Sequence, residues 1–136
     1  MEIESLVTRA VLTLKPTDTV RDAAIAMMER GVGSAVVMAD GQPTGIITDR
    51  EALRIIAQGV DASAAKVSDY APKKLTTVPP STEVVEAARV MRERNYRHLV
   101  VVDGHGELFG VFSMRDLVVG LLRERASLLE DSATAG

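Results

Sequence analysis

Gly45–Glu51 reads GIITDRE, and Gly110–Asp116 reads GVFSMRD, 65 positions further along the chain. In both segments a glycine and two apolar residues precede a hydroxyl residue, and an arginine stands directly before a carboxylate. A buried strand that passes straight into a helix has this pattern, because Ser and Thr are favoured at helix N-termini. The recurrence predicts that the same strand-to-helix junction is built twice.

The similarity between the two halves extends upstream of these segments. With a shift of 64 positions, Thr13 aligns with Thr77, Val20 with Val84, and the helix and turn signals keep their order. One extra residue in the second loop then gives the shift of 65. Self-similarity at a fixed spacing indicates repeated structural units. We predict one repeat over residues 1–62, a second over residues 63–127, and a flexible C-terminal tail over residues 128–136.

Each half is predicted to fold as β-α-β-β-α, an α/β (α+β) arrangement. Short aliphatic runs predict first strands at 11–14 and 75–78, and helical spacing of apolar residues predicts helices that begin at Val20 and Val84. Asp18 or Thr19 is expected to cap the first helix, and Ser81 or Thr82 the second. Gly31 and Asn95 suit left-handed C-caps. The remaining predicted elements are strands Ser34–Met38, Gly45–Thr48, His98–Val102 and Leu108–Ser113, the linker Gly59–Ala65, and helices Arg50–Gln58 and Arg115–Arg125.

Composition narrows the class of protein. The 136 residues include no cysteine, which excludes disulfides and thiolate metal sites, and the net charge of -3 disfavours binding to nucleic acid or an anionic membrane. Only two Phe and two Tyr are present, so the core must be aliphatic. No signal peptide is recognisable, and no apolar run approaches the ~20 residues of a membrane span. We therefore expect a soluble, cytoplasmic protein.

Catalytic motifs are not found. The sequence has no phosphate-binding loop of the P-loop type, no serine nucleophile elbow and no H-E-x-x-H zinc motif. Asp49 and Glu51 are two residues apart, a spacing that points side chains in different directions on a helix. With two histidines and no acidic partner at ligand spacing, a metal site is not expected. We predict that the chain is not an enzyme.

The repeated order of elements and the two G-x-x-S/T junctions resemble the CBS domain family. Tyr96–Asp103 (YRHLVVVD) is similar to a second stretch common in that family, and the resemblance covers about Ile3–Leu122. Glu51 stands where the family usually has Asp. The resemblance implies a tandem pair, or Bateman module, whose repeats pack pseudo-two-fold through their sheets. It also implies a regulatory module that binds an adenine nucleotide (AMP, ADP or ATP) in the cleft between the repeats, and a homodimer.

The junction at residues 113–116 is the leading candidate site. Ser113 and the free N–H groups of a helix N-terminus can hold a phosphate, the Asp116 carboxylate can accept ribose hydroxyls, and Arg115 adds positive charge. The alternative is that Ser113 and Asp116 only cap the helix. By the resemblance, Arg97 and His98 hold phosphates. The same resemblance places the remaining contacts around the adenine, at Thr8, Val11, Thr13, Ser34 and Ala35.

A second, weaker site is predicted in the equivalent place, at Thr48, Arg50, Glu51, Thr77 and Leu99, with capping of the helix by Thr48 and Glu51 as the alternative. Glu51 is one methylene longer than Asp116, and the repeat partners of Arg97 and His98 are Gly33 and Ser34, so the two sites should differ.

Other functions are compatible with the same residues. S-adenosylmethionine or an NAD-type dinucleotide could occupy the cleft in place of AMP, ADP or ATP. A constitutive dimerisation or protein-interaction scaffold with empty clefts is a further alternative, with Leu117, Leu121 and Leu122 on an exposed face of the last helix. The sequence does not determine the ligand, the number of occupied sites, the downstream target, or a parallel or antiparallel arrangement of the dimer.

Overall fold

The computed structural model describes residues 1–71 and 75–135 and contains two three-stranded sheets. In each sheet the first strand runs parallel to the second, and the third completes the sheet beside the second. The strands are β1 (Thr13–Leu14), β2 (Ser34–Ala39), β3 (Gln42–Thr48), β4 (Thr77–Val78), β5 (His98–Val102) and β6 (Leu108–Ser113). The helices are α1 (Val20–Arg30), α2 (Asp49–Ala57), α3 (Val67–Tyr70), α4 (Val84–Arg94) and α5 (Met114–Ala135), after a 3-10 turn at Ile3–Ser5. The predicted mixed α/β class is confirmed.

Two boundaries differ from the prediction by three residues or more, and the others by at most two. Strand β3 begins at Gln42 because Asp40 and Gly41 alone make the hairpin turn, with φ of 53° and 77°. Helix α5 continues ten residues beyond the predicted end at Arg125, since the following residues include no Gly or Pro before Gly136. The proposed tail over residues 128–136 is therefore helical as far as Ala135, while Gly136 lies outside the described residues.

Helix caps explain both ends of α1 and the C-terminal end of α4. Thr19 caps α1 as expected, in a reciprocal capping box with Asp22. Gly31 and Asn95 both adopt the predicted left-handed conformation, with φ of 64° and 55°. The Ser81 or Thr82 cap is wrong: the hydroxyl of Thr82 donates to Pro79 O instead.

Each sheet and its helices form a separate compact unit. The first-repeat unit comprises Ala10–Thr76 with Gly106–Leu108, and the second-repeat unit comprises Met1–Arg9, Thr77–His105 and Phe109–Gly136. Ala35, Val37 and Ile47 lie in the core of the first-repeat unit, and Leu99, Val101 and Phe112 in that of the second. The opposite sheet faces are also buried, at Val36 and Val100, which agrees with the near-continuous aliphatic sequence of these strands.

The segment before the first strand of each repeat packs in the core of the other unit. Ile3, Leu6 and Val7, which precede β1, lie in the core of the second-repeat unit. Val67 and Ala71, which precede β4, lie in the core of the first-repeat unit. The division by packing therefore differs from the division by repeat at residue 62, because each unit takes its opening segment from the other half of the sequence.

The predicted exposure of Leu117 is wrong. Together with Leu121 and Leu122 it was expected on an exposed face of the last helix, but Leu117 is buried in the core of the second-repeat unit. Leu121 and Leu122 are exposed as expected. Among the described residues, no helix combines the length and apolar character needed to cross a bilayer.

Candidate functional site: the junction of β6 and α5

The hydroxyl and carboxylate of the second GxxS motif form a reciprocal cap at the start of α5. Ser113 N–H and Ser113 Oγ both donate to Asp116 Oδ2, at 2.8 and 3.0 Å, and Asp116 N–H donates to Ser113 Oγ at 3.2 Å. Ser113 and Asp116 therefore cap α5, as the capping alternative predicts. The three bonds also fix the Asp116 carboxylate beside the first turn of α5. Its Oδ1 atom lies outside all three bonds and could accept hydroxyl groups from a sugar.

Gly110, the first residue of this motif, is needed for close packing of the backbone. A Cβ atom at this position would lie 2.3 Å from Val7 Cγ1 and 2.5 Å from Thr8 O. Next to it, Thr8 and Val111 exchange two backbone hydrogen bonds of 3.0 Å. The glycine thus lets the N-terminal segment lie directly against β6. Thr8, a predicted site residue, is thereby held beside Val111, which precedes Ser113 by two residues on β6.

Strand β5 brings a basic residue to the same junction. Met114 N–H, at the start of α5, donates to Arg97 O at 2.8 Å, so the beginning of β5 lies beside the beginning of the helix. Arg97 and Arg115 are exposed, and His98 is half-buried. A helix N-terminus with two arginine side chains available from neighbouring positions favours an anionic ligand. The structure therefore brings Thr8, Arg97, His98, Ser113, Arg115 and Asp116 into one unit.

The junction of β3 and α2 repeats this framework with different side chains. Asp49 N–H donates to Gly33 O at 3.0 Å, and Ser34 pairs with Thr48 in the sheet. Thr48 Oγ1 accepts from Glu51 N–H at 3.3 Å, so Thr48 caps α2. The Glu51 carboxylate is engaged elsewhere, because Arg54 Nη1 donates to Glu51 Oε2 at 3.0 Å.

The other predicted site residues occupy several environments. Val11 and Thr13 lie in the first-repeat unit, where Thr13 pairs with Val36 on β2. Thr77 pairs with Val100 on β5 and is exposed, as is Arg50 on α2. Ala35 and Leu99 are fully buried in the two cores, so neither presents an exposed side chain to a ligand.

Arg54 is the relevant residue that the sequence analysis missed. Glu and Arg three residues apart on a helix are neighbours on its surface, so the spacing of Glu51 and Arg54 carried the signal. As for metals, residues 1–71 and 75–135 contain no group of three or more His, Cys, Asp or Glu side chains arranged to hold an ion.

Comparison with known proteins agrees with the duplicated junction. The family model for the CBS domain matches twice, at residues 3–58 and 67–123. The chain is 37% identical over 119 residues to the CBS domain-containing protein CBSX3, mitochondrial, of Arabidopsis thaliana, covering 83% of this chain and 57% of that protein. It is 30% identical over 126 residues to YhcV, a CBS domain-containing protein of Bacillus subtilis, covering 92% and 89%.

A solved structure extends the comparison to three dimensions. The CBS domain protein PAE2072 from Pyrobaculum aerophilum, complexed with AMP, superposes with a TM-score of 0.82 at 34% identity, covering 90% of this chain and 97% of that one. Among the curated relatives, the chain spans only 57% of the length of CBSX3 and of a Methanopyrus kandleri protein. Two matches to the family model, over most of the chain, agree with the two junctions described above: the chain belongs to the CBS domain family and carries a pair of CBS domains.

Proposed function

We propose that this chain is a non-catalytic regulatory module that binds an adenine nucleotide of the AMP, ADP or ATP class. The observation that carries the proposal is the AMP complex of the Pyrobaculum aerophilum protein, which resembles this chain over nearly its whole length. S-adenosylmethionine and NAD-type ligands, which also present an adenosine group, are the competing ligands.

The start of α5 is the proposed ribose and phosphate end of the site. Asp116 accepts ribose hydroxyls, and Arg97 and Arg115 neutralise phosphate charge. The adenine contacts at Thr8, Val11, Thr13, Ser34 and Ala35 stay a prediction from the family resemblance, as does a cytoplasmic location. A nucleotide that binds two conformations with different affinity shifts their populations, which would make the module a sensor.

Calorimetric titration of AMP, ATP, S-adenosylmethionine and NAD against the wild type and Asp116→Ala tests the proposal. A hydrogen bond to a charged group contributes about 1.5–3 kcal/mol, so the variant should bind the preferred nucleotide at least about tenfold more weakly. Asp22→Ala is a matched control, because Thr19 and Asp22 form the same reciprocal cap on α1, with bonds of 3.0 Å in both directions. Equal affinity in the wild type and Asp116→Ala would remove Asp116 from the site.

The scaffold alternative rests on exposed apolar side chains of α5. Val118, Leu121 and Leu122 are 51%, 42% and 63% exposed. A homodimer that buries these side chains would fit a constitutive scaffold as well as a sensor. Thermal denaturation separates the two functions, because a ligand at one hundred times its Kd stabilises the folded state by about 2.7 kcal/mol. A scaffold with empty sites would give the same melting temperature with and without each nucleotide.

A further inference from the structure

The two CBS domains offer their helix-start carboxylates in different ways. Asp116 is the third residue of α5, and its carboxylate is held at the helix start by Ser113. Glu51 is the third residue of α2, and its carboxylate is held by Arg54, one turn further along the helix. Thr48 Oγ1 accepts from Glu51 N–H, whereas the Glu51 carboxylate accepts from Arg54 and not from the Thr48 hydroxyl. The same position in the two repeats therefore presents two different groups to an incoming ligand.

Two sequence differences produce this contrast. Glutamate is one methylene longer than aspartate, which lets its carboxylate reach the i+3 position on the helix surface. That position is Arg54 in α2, whereas the repeat shift of 65 places Val119 there in α5. The first domain therefore has both the longer acid, Glu51, and the cation that binds it one turn along the helix, Arg54. The second domain has neither, so Asp116 stays at the helix start.

The neighbouring strand adds a third difference in the same direction. Arg97 O accepts from the first N–H of α5, and Gly33 O accepts from the first N–H of α2. These two backbone bonds establish that Arg97 and Gly33 occupy equivalent places. The start of α5 therefore has an exposed arginine beside it, and the start of α2 has a residue without a side chain.

We infer that the chain binds one nucleotide, at the start of α5, because the longer acid Glu51, held along α2 by Arg54, leaves the equivalent position on α2 without a carboxylate at the helix start. Glu51 is thereby the specificity-determining residue at this position, and the exposed Arg54 adds only a small preference to the orientation of its side chain. This inference rests on the proposed nucleotide-binding function. It concerns the number of sites, whereas the proposed function concerns whether any site binds nucleotide.

The test is the number of AMP molecules bound per chain at saturation, measured by equilibrium dialysis. The wild type should bind one. Glu51→Asp combined with Arg54→Val gives α2 the residues that α5 has at positions 116 and 119 and should raise the number to two. An exposed helical ion pair shifts an equilibrium only about twofold, so Arg54→Val alone should strengthen the second site no more than that, and both changes are needed.

A matched variant separates the carboxylate from the loss of the ion pair. Glu51→Gln with Arg54→Val removes the same pair but offers no carboxylate, and it should still bind one AMP. Two AMP molecules per wild-type chain would overturn the inference and leave the proposed function standing. One AMP in the Glu51→Asp/Arg54→Val variant, with its melting temperature unchanged, would also overturn it. No AMP bound to the wild type would overturn both.

Discussion

Replacing Gly110 by alanine should loosen the N-terminal segment from the second-repeat unit. The added methyl carbon would lie 2.3 Å from Val7 Cγ1 and 2.5 Å from the carbonyl oxygen of Thr8. A flexible side-chain end can rotate away, but the Thr8 carbonyl is backbone and is fixed by its hydrogen bond from Val111 N–H. The segment must therefore shift away from β6 to relieve the contact.

The expected cost combines two effects. Inserting a methyl group into a close-packed contact costs about 1–3 kcal/mol. The shift also stretches the two 3.0 Å bonds between Thr8 and Val111, each of which contributes about 1 kcal/mol net. The free energy of unfolding should fall by about 3–5 kcal/mol in total, a large share of the stability of a chain of this size.

Urea denaturation followed by circular dichroism at 222 nm measures this change, with Gly104→Ala as the matched control. Gly104 is a turn glycine whose added Cβ would meet nothing within 4 Å. Its substitution should therefore change the free energy of unfolding by less than about 0.5 kcal/mol. If Gly110→Ala unfolded at the same urea concentration as Gly104→Ala, the packing of Met1–Arg9 on β6 described above would be refuted.

Three further predictions concern packing and pH. Ile3→Ala, at a fully buried residue, should lower the free energy of unfolding by about 2–5 kcal/mol in the same urea assay, and no change would argue against burial of the N-terminal turn. Leu117→Asp should prevent folding as judged by circular dichroism, whereas Leu122→Asp, at an exposed position, should leave the spectrum unchanged; equal spectra would place Leu117 at the surface. The backbone N–H and then the hydroxyl of Thr19 donate to Asp22 and lower the pKa of its carboxyl, so this group stabilises the fold above about pH 4 and the effect is lost as the pH falls through the lowered pKa. Asp22→Ala should therefore melt below the wild type at pH 7, and the difference should shrink as the pH falls through the lowered pKa of Asp22; a pH-independent difference would contradict this.

The repeated elements could be predicted from the sequence because their signals are local. Apolar periodicity, the Thr19 cap and the left-handed residues Gly31 and Asn95 each act within one or two turns of the chain. The Ser81 or Thr82 cap failed for a non-local reason. Val84 N–H, at the start of α4, donates its hydrogen bond to Met1 O at 2.9 Å, so the helix start has a backbone partner from a distant part of the chain.

The candidate site was predictable in its residue types and less so in its bonding. The hydroxyl and carboxylate of each motif indicated the two helix starts, and the structure places Ser113 and Asp116 in contact there. The unequal charge at Arg97 and Gly33 was also readable from the repeat alignment. The orientation of the Glu51 side chain could not be predicted, because a flexible glutamate on a helix surface has several possible partners. The structure shows that it is bound by Arg54.

The segment before β1 packs in the core of the second-repeat unit, and this has a consequence for biosynthesis. Ile3 is synthesised before Phe112, which lies in the same core more than a hundred residues further along the chain. At roughly 5–20 residues per second, the segment around Ile3 waits for about 5–20 s before the other side chains of that core have been synthesised. The first-repeat unit draws mainly on residues 10–76, so most of it is synthesised before the core of the second-repeat unit is complete.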